Sequence, residues 1–201
     1  MQLIVITAEK KLFREAQLLN LLCQQGLEIL HLRKPGTPFS EIKTLLEEID
    51  INYHSRIVLH DYFQLTDLFN VKGIHINKRN PHIYAKEGLT VSRSCHTLEE
   101  IAKASSYHYL FLSPVYDSIS KIGYRKRFTA EQLRTAKANA VINRSVIALG
   151  GITSGKIPEI REYGFGGIAV SGTLWTAFEK ENNTEQLLET YNKLQIECGK
   201  Q

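Results

Sequence analysis

The amino-acid sequence predicts a compact α/β fold, a (β/α)8 TIM barrel, on the basis of three observations. Eight short apolar runs lie along the 201 residues, segments of helical periodicity alternate with them, and the length allows one substantial core. Apolar strands that alternate with helices predict parallel pairing with both faces of the sheet covered. Eight such strands predict a closed barrel, and a doubly wound open sheet is the alternative. We expect one barrel domain over residues 1–201, with a C-terminal helix at about 184–198.

Each element follows from a local pattern. The predicted strands are residues 2–7, 28–33, 56–61, 73–77, 89–94, 109–114, 146–151 and 167–171. The first helix, "KKLFREAQLLNLLCQQG" at 10–26, has leucines at helical spacing and a glycine at its end. The second, "TPFSEIKTLLEEID" at 37–50, begins with residues that favour helix starts. Further helices are predicted at 62–70, 97–105, 129–138, 155–163 and 184–197, and a short one from Gly172.

Composition and charge narrow the class of partner. The net charge of +4 is mild, and the basic cluster "YRKRF" at 124–128 is too short for a nucleic-acid-binding stripe, so a small anionic molecule fits better. The three cysteines, Cys23, Cys95 and Cys198, form no C-x-x-C pair, which predicts reduced thiols in the cytoplasm. The apolar runs are far shorter than the roughly 18 residues of a membrane span, so we expect no membrane partner.

Polar residues cluster where a barrel carries its chemistry. Side chains at the carboxyl ends of the strands converge on one mouth of the barrel. Thirteen polar residues lie near the ends of strands two to six: His31, Arg33, Lys34, His60, Asp61, His75, Asn77, Asn80, Ser94, His96, Ser118, Ser120 and Lys121.

The final two strands end in glycine turns that suit a phosphate group. In "VIALGGITSGK" (146–156), Gly150 and Gly151 leave the backbone bare, and "AVSGT" (169–173) offers Ser171, Gly172 and a helix start. Exposed N–H groups near a helix N-terminus attract phosphate oxygens, and barrels of this fold often bind phosphate at these two loops. The alternative is that the glycines only make tight turns.

A second group of candidate residues consists of three basic side chains and one carboxylate. Arg33 offers a planar fork for phosphate or carboxylate, and Lys34 and Lys121 offer point charges; solvation at the surface is the alternative for each. Asp61 follows an apolar strand at the mouth, which suggests a Mg²⁺ ligand, although it could instead cap the predicted helix at 62–70. The histidines near the strand ends are either hydrogen-bonded packing residues or acid–base groups.

An ordered set of motifs resembles one family. The motifs are "HLRK", "VLHD", "GIHIN", "SRSCHTLEEIAKA", "YLFLSPVYDSISK", "IALGGIT" and "GIAVSGTL". Their order, spacing and strand positions resemble the superfamily of thiamine-phosphate synthase and thiazole tautomerase, over roughly residues 2–177.

The resemblance to the synthase implies a reaction and roles for residues. A hydroxymethylpyrimidine diphosphate ionises, a thiazole phosphate captures its methylene carbon, and diphosphate leaves. Arg33, Ser94 and Lys121 match the catalytic contacts to diphosphate, and Asp61 and Asn80 match the two positions that hold Mg²⁺. Ser118, Ser120, Gly151 and Ser171 match the pocket for the thiazole phosphate, and His31, Lys34, His60, Gly150 and Gly172 complete the predicted substrate-binding set.

The chain also departs from the synthase pattern. Pro35 replaces a lysine, His60 replaces an asparagine, and Asn80 replaces the second magnesium aspartate. The related tautomerase would have its proton-transferring histidine at Pro114 and tends to lack the aspartate matched by Asp61. A tautomerase-like isomerase and a non-catalytic regulator that binds a phosphorylated ligand therefore stay open as alternatives, as does a homodimer.

Overall fold

Eight parallel strands close into a barrel in the computed structural model, which describes residues 1–84, 86–117, 119 and 125–200. Each strand pairs with the next along the chain, and β8 pairs with β1. The predicted TIM barrel is confirmed, and every strand lies within two residues of its predicted bounds. The strands are β1 Gln2–Ile6, β2 Ile29–Leu32, β3 Ile57–Leu59, β4 Gly73–Ile76, β5 Thr90–Cys95, β6 Tyr109–Leu112, β7 Val146–Leu149 and β8 Gly167–Val170.

Within the described residues, seven α-helices accompany the strands, and side-chain caps start several of them. Thr97 accepts a hydrogen bond from the amide of Glu100, Thr129 forms a capping box with Gln132, and Asn183 caps the last helix. The helices are α1 Glu15–Gln24, α2 Phe39–Glu48, α3 Leu98–Lys103, α4 Ala130–Ala138, α5 Ile157–Glu162, α6 Gly172–Glu181 and α7 Thr184–Gly199. None of these helices is long and apolar enough to cross a membrane.

Three helical segments differ from the prediction. Residues 10–14 lie outside α1 because Arg14, at φ 53°, takes a left-handed conformation that a helix cannot continue. The predicted helix at 62–70 is a short 3-10 helix, Phe63–Asp67, which follows another left-handed residue, Tyr62. A second 3-10 helix, Ile51–Arg56, precedes β3 where none was predicted.

The alternation of side chains along the strands separates two apolar cores. One core lies between the sheet and the helices and includes Leu30 of β2, whereas a smaller one fills the barrel interior and includes Ile29. Because successive side chains point to opposite faces, His31 faces the interior like Ile29. The same argument places His60 on the face of Val58. The three cysteines are buried, free thiols.

Candidate active site

A cavity of about 800 Å³ opens at the carboxyl ends of the strands, and residues from all eight strand ends line it. This size is typical of small-molecule sites. Seven predicted site residues line it: Arg33, His60, Ser94, Gly150, Gly151, Ser171 and Gly172. The position of the cavity agrees with the expectation that chemistry in this fold lies at the carboxyl ends.

The glycines after β7 have a packing role as well as an open backbone. Gly150 and Gly151 have φ angles of +103° and +63°, in the left-handed region. A Cβ atom on Gly151 would lie 2.1 Å from the Asp117 carbonyl oxygen, and one on Gly150 would lie 2.8 Å from Cβ of Pro114. The turn after β7 therefore needs glycine partly because the loop after β6 packs directly against it.

The turn after β8 leads straight into α6. Gly172 and Thr173 are in the first turn of this ten-residue helix and line the cavity, and their amides have no acceptor within the helix. The Ser171 hydroxyl also lines the cavity and lies 3.4 Å from the carbonyl oxygen of Thr7. Free amides, a helix N-terminus and a hydroxyl together suit an anion.

Basic side chains line the cavity after β1, β2 and β4 and on β5. The Arg33 backbone is fixed by Thr7, whose Oγ1 accepts from the Arg33 amide (2.9 Å) and donates to its carbonyl oxygen (3.0 Å). The Arg33 guanidinium forms an ion pair with Glu9. The other basic residues that line the cavity are Lys10, Lys78, Arg79 and Arg93, and the acidic ones are Glu9, Glu100 and Glu179. The described basic residues outnumber the acidic ones, which favours an anionic ligand.

Lys34 has a different environment from the one predicted. Its Nζ lies 2.5 Å from Oε1 of Glu15 and donates to the carbonyl oxygen of Lys10 (2.7 Å), and both charged side chains are 2% exposed. Burial lowers the pKa of Lys34 and raises that of Glu15, and in each case the partner opposes the shift. Lys34 is not among the residues lining the cavity, because neighbouring side chains at a strand end point in opposite directions. Its placement thus gives no support to the predicted phosphate contact.

Asp61 lies beside the cavity and already has two hydrogen-bond donors. Its Oδ1 accepts from Nδ2 of Asn80 (2.7 Å), and its Oδ2 lies 3.2 Å from Nη2 of Arg79. The same Asn80 nitrogen donates to the His60 carbonyl oxygen (2.9 Å). The 3-10 helix nearby begins after Tyr62 without a side-chain cap, so the capping alternative for Asp61 finds no support.

Three histidines meet in the barrel interior under the cavity. Nδ1 of His31 lies 2.8 Å from Nε2 of His60, and Nε2 of His31 lies 2.6 Å from the Tyr109 hydroxyl. The His60 ring stacks on the His75 ring with centroids 4.3 Å apart. Burial lowers the pKa of His75 to about 3 and lowers those of His31 and His60 well below the usual value, so all three rings are neutral at pH 7.

Comparison with known proteins identifies the family. The family model described as thiamine monophosphate synthase matches residues 3–174. The chain belongs to this family.

Individual relatives of the thiamine monophosphate synthase family agree with that assignment. A solved structure described as thiamine phosphate pyrophosphorylase from Bacteroides thetaiotaomicron is similar with a TM-score of 0.88 and 39% identity, covering 98% of each chain. A thiamine-phosphate synthase of Photorhabdus laumondii is 24% identical over 83% of this chain and 82% of its own. The thiamine phosphate pyrophosphorylase of Pyrococcus furiosus, at 22% identity and a TM-score of 0.69, shows the shared fold.

The donor set around Asp61 fits Mg²⁺ through one carboxylate. Mg²⁺ in proteins is commonly held by one or two carboxylates together with substrate phosphates and waters. Asp61, with its side chain 19% exposed, can serve as that carboxylate once the half-exposed Arg79 moves aside. Asn80 does not fit as the second ligand in this arrangement, because its amide nitrogen, rather than its oxygen, faces Asp61 and the His60 carbonyl.

Three predicted site residues lie outside the described part of the chain, and four residues that line the cavity were not predicted from the sequence. Ser118, Ser120 and Lys121 fall outside the described residues, so their predicted contacts remain predictions. Sequence reasoning missed Lys10, Lys78, Arg79 and Arg93. The signal for Lys78 and Arg79 was available, since both lie between Asn77 and Asn80 in the loop after β4.

Proposed function

We propose that this chain is a thiamine-phosphate synthase, which joins a hydroxymethylpyrimidine diphosphate to a thiazole phosphate and releases diphosphate. One observation carries the proposal: a single cavity has the amide-rich tips of β7 and β8 on one side and a group of arginines on the other. Two anion-binding regions in one cavity suit a reaction between two phosphorylated molecules. Membership of the family supports the same assignment.

The reaction breaks one bond and forms another, with no net transfer of a proton. The bond between the pyrimidine methylene carbon and the diphosphate oxygen breaks, and the diphosphate leaves with the electron pair. The thiazole ring nitrogen then attacks the methylene carbon, and the new C–N bond makes the ring cationic. The protein must hold the two partners in line and stabilise the negative charge that grows on the leaving group.

Named residues are suited to those two tasks. Arg33 donates to the diphosphate through its planar guanidinium, and Ser94 donates through its hydroxyl; Lys121, from the sequence resemblance, closes over the same group. The amides at Gly151 and Gly172 hold the thiazole phosphate, with the Ser171 hydroxyl beside them; Ser118 and Ser120 join this pocket in the proposal. Mg²⁺, when bound by Asp61, supplies further positive charge to the diphosphate.

The decisive experiment supplies the purified protein with both substrates and follows thiamine phosphate and released diphosphate, with and without Mg²⁺. We expect product only with both substrates, and more of it with Mg²⁺. Metal-independent isomerisation of the carboxythiazole phosphate would instead identify a tautomerase. Tight phosphate binding without any turnover would identify a regulator, and either result would refute the proposal.

A variant at Asp61 tests the carboxylate. Asp61→Ala should abolish product formation and leave binding of inorganic phosphate nearly unchanged, because the phosphate region lies across the cavity. Asp67→Ala is the matched control, since Asp67 forms an ion pair with Lys86 and does not line the cavity. Full activity in Asp61→Ala would exclude the role proposed for this carboxylate.

The remaining expectations concern assembly and location. A homodimer formed through the outer helices stays a prediction, which light scattering on the purified protein tests. The cytoplasmic location expected from the unpaired cysteines also stays a prediction, and fractionation of cells tests it.

A further inference from the structure

Two tyrosines outside the cavity donate hydrogen bonds to one carboxylate of α5. The Tyr116 hydroxyl donates to Oε2 of Glu159 (2.7 Å), and the Tyr163 hydroxyl donates to Oε1 (2.6 Å). Glu159 lies on α5, Tyr163 follows that helix directly, and Tyr116 lies in the loop after β6. Of these three described residues, none lines the cavity. Any effect of the cluster on a ligand must therefore pass through other residues.

The cluster is an ionised carboxylate held by two neutral phenols. Hydrogen bonds from Tyr163 and Tyr116 lower the pKa of Glu159. Burial, together with the neighbouring carboxylate, raises the pKa of Tyr116 and raises that of Tyr163 to about 12. At pH 7 Glu159 therefore accepts both hydrogen bonds, and each is of the strong kind made to a charged group.

The loop that carries Tyr116 lies directly against the glycine turn after β7. The backbone amide of Tyr116 donates to the carbonyl oxygen of Gly150 (3.1 Å). The contact continues at the next residue, because a Cβ atom on Gly151 would lie 2.1 Å from the Asp117 carbonyl oxygen and 2.9 Å from Cβ of Tyr116. The loop after β6 therefore forms one wall of the turn.

The two glycines need such a wall to hold one conformation. Gly150 and Gly151 both have positive φ angles, and glycine has the greatest backbone freedom of any residue. A phosphate at the tip of β7 requires the Gly151 amide to point in one direction. Tyr116 supplies two fixed points: its backbone amide binds Gly150, and its side chain binds Glu159, further along the segment that leaves the turn.

We propose that Glu159 and Tyr116 are positioning residues for the phosphate region: their hydrogen bond holds the loop after β6 against the turn after β7 and so fixes the direction of the Gly151 amide. The ligand concerned is inorganic phosphate or a phosphate monoester at the tips of β7 and β8. This inference rests on the proposed function only for the identity of that ligand as a thiazole phosphate. Arg33, which follows β2, should keep its affinity for a diphosphate when the bond is lost.

A purely structural role is the competing explanation, since the same carboxylate could do no more than hold α5 in place. The two phenols separate these explanations. Tyr163 lies four residues from Glu159, so their bond leaves the loop after β6 untouched. Tyr163 is also 2% exposed, whereas Tyr116 is half-buried, so losing the Tyr163 hydroxyl should cost at least as much stability.

The test is NMR on ¹⁵N-labelled protein titrated with inorganic phosphate, because the amide signals of Gly151 and Gly172 report binding at the two tips. Tyr116→Phe should weaken the phosphate affinity read from these signals by about threefold to tenfold, the scale of one hydrogen bond. Tyr163→Phe is the matched control: it removes a hydroxyl from the same carboxylate, and the affinity should change less than about twofold. Urea unfolding of both variants measures what each substitution costs in stability.

Variants at the carboxylate provide a second test. Glu159→Ala should weaken phosphate binding at least as much as Tyr116→Phe, and adding Tyr116→Phe to it should weaken binding no further, because both remove the same bond. Glu159→Gln keeps an amide oxygen as an acceptor and should recover part of the affinity.

Equal losses of affinity in Tyr116→Phe and Tyr163→Phe would overturn the proposal in favour of general destabilisation. An unchanged affinity in Tyr116→Phe would also overturn it, as would phosphate that leaves the Gly151 signal unmoved in the parent protein. During turnover, Tyr116→Phe should raise the KM for the thiazole phosphate and leave kcat and the KM for the pyrimidine diphosphate unchanged. The titration needs no turnover, so a protein that shows the expected pattern but makes no thiamine phosphate refutes the proposed function alone.

Discussion

Lys34 provides the sharpest test of the structure. The sequence predicts that it binds phosphate, whereas the structure places it in a buried ion pair with Glu15. If Lys34 only bound phosphate at the mouth of the barrel, it would be dispensable for folding. In the structure the Lys34 ammonium is the countercharge of Glu15, with both side chains 2% exposed and 2.5 Å between Nζ and Oε1. Lys34→Met keeps most of the buried volume and removes the countercharge of the Glu15 carboxylate, to which only the Leu12 amide then still donates (3.3 Å).

The expected loss of stability is large for a single substitution. Removing one member of a buried ion pair costs about 3–5 kcal/mol, because the remaining charge stays desolvated. For a protein of this size each kcal/mol lowers Tm by about 2–4 °C, so Tm should fall by roughly 6–20 °C. Lys43→Met is the matched control: Lys43 and Glu47 are also 2.5 Å apart but are 40% and 49% exposed. Losing that exposed pair should lower the free energy of unfolding by only about 0.3–0.5 kcal/mol.

Urea unfolding of both variants measures the difference, and adding Glu15→Gln to Lys34→Met should restore most of the loss. The pH dependence has a definite sign. Losing Lys34 raises the folded pKa of Glu15 further above its unfolded value near 4.5, so the deficit grows as pH rises from 4.5 through the folded pKa and narrows below it. A loss under about 1 kcal/mol, together with weakened phosphate binding, would refute the structural role.

Three further predictions concern the cavity and the histidines. Gly151→Ala should weaken phosphate binding and cost about 1–3 kcal/mol in urea unfolding, because its Cβ meets the loop after β6; Gly155→Ala, with open space around it, should cost far less. The pKa of His75 is lowered to about 3 in the folded protein, so the unfolded state binds the extra proton first as pH drops below 6.5. The free energy of unfolding should therefore fall by up to about 1.4 kcal/mol per pH unit, which urea unfolding at pH 7.5 and pH 5 measures. Arg79→Gln frees Asp61, so calorimetry should show several-fold tighter Mg²⁺ binding, and an unchanged affinity would contradict the ion pair.

Local patterns were sufficient to predict the fold. Each strand is a short apolar run, and eight runs alternating with helices leave few topologies, so the barrel and its strand bounds follow from the sequence. The errors occur where backbone conformation departs from periodicity. Arg14 and Tyr62 adopt left-handed conformations that no apolar pattern signals, and each delays or shortens the helix predicted beside it.

The candidate site was predictable in position and only partly in its contacts. The predicted carboxyl ends of the strands identified Arg33, His60 and Ser94, because the fold brings all such ends to one mouth of the barrel. The partner of Lys34 lies on α1, and its burial depends on how that helix packs. The bond from His31 to Tyr109 spans 78 residues and depends on side chains that meet across the barrel interior, which no local pattern contains.

The charges near Asp61 bear on how a metal ion could reach the site. Asn80 brings a neutral amide where the resemblance expects a carboxylate, and Arg79 adds a positive charge 3.2 Å from the carboxylate that remains. Both changes reduce the attraction of the free protein for a divalent cation and increase its attraction for a diphosphate. A bound diphosphate adds oxygen ligands and several negative charges, and it offers Arg79 an alternative partner. Under the proposed function, we therefore expect Mg²⁺ to enter the site together with the diphosphate rather than before it.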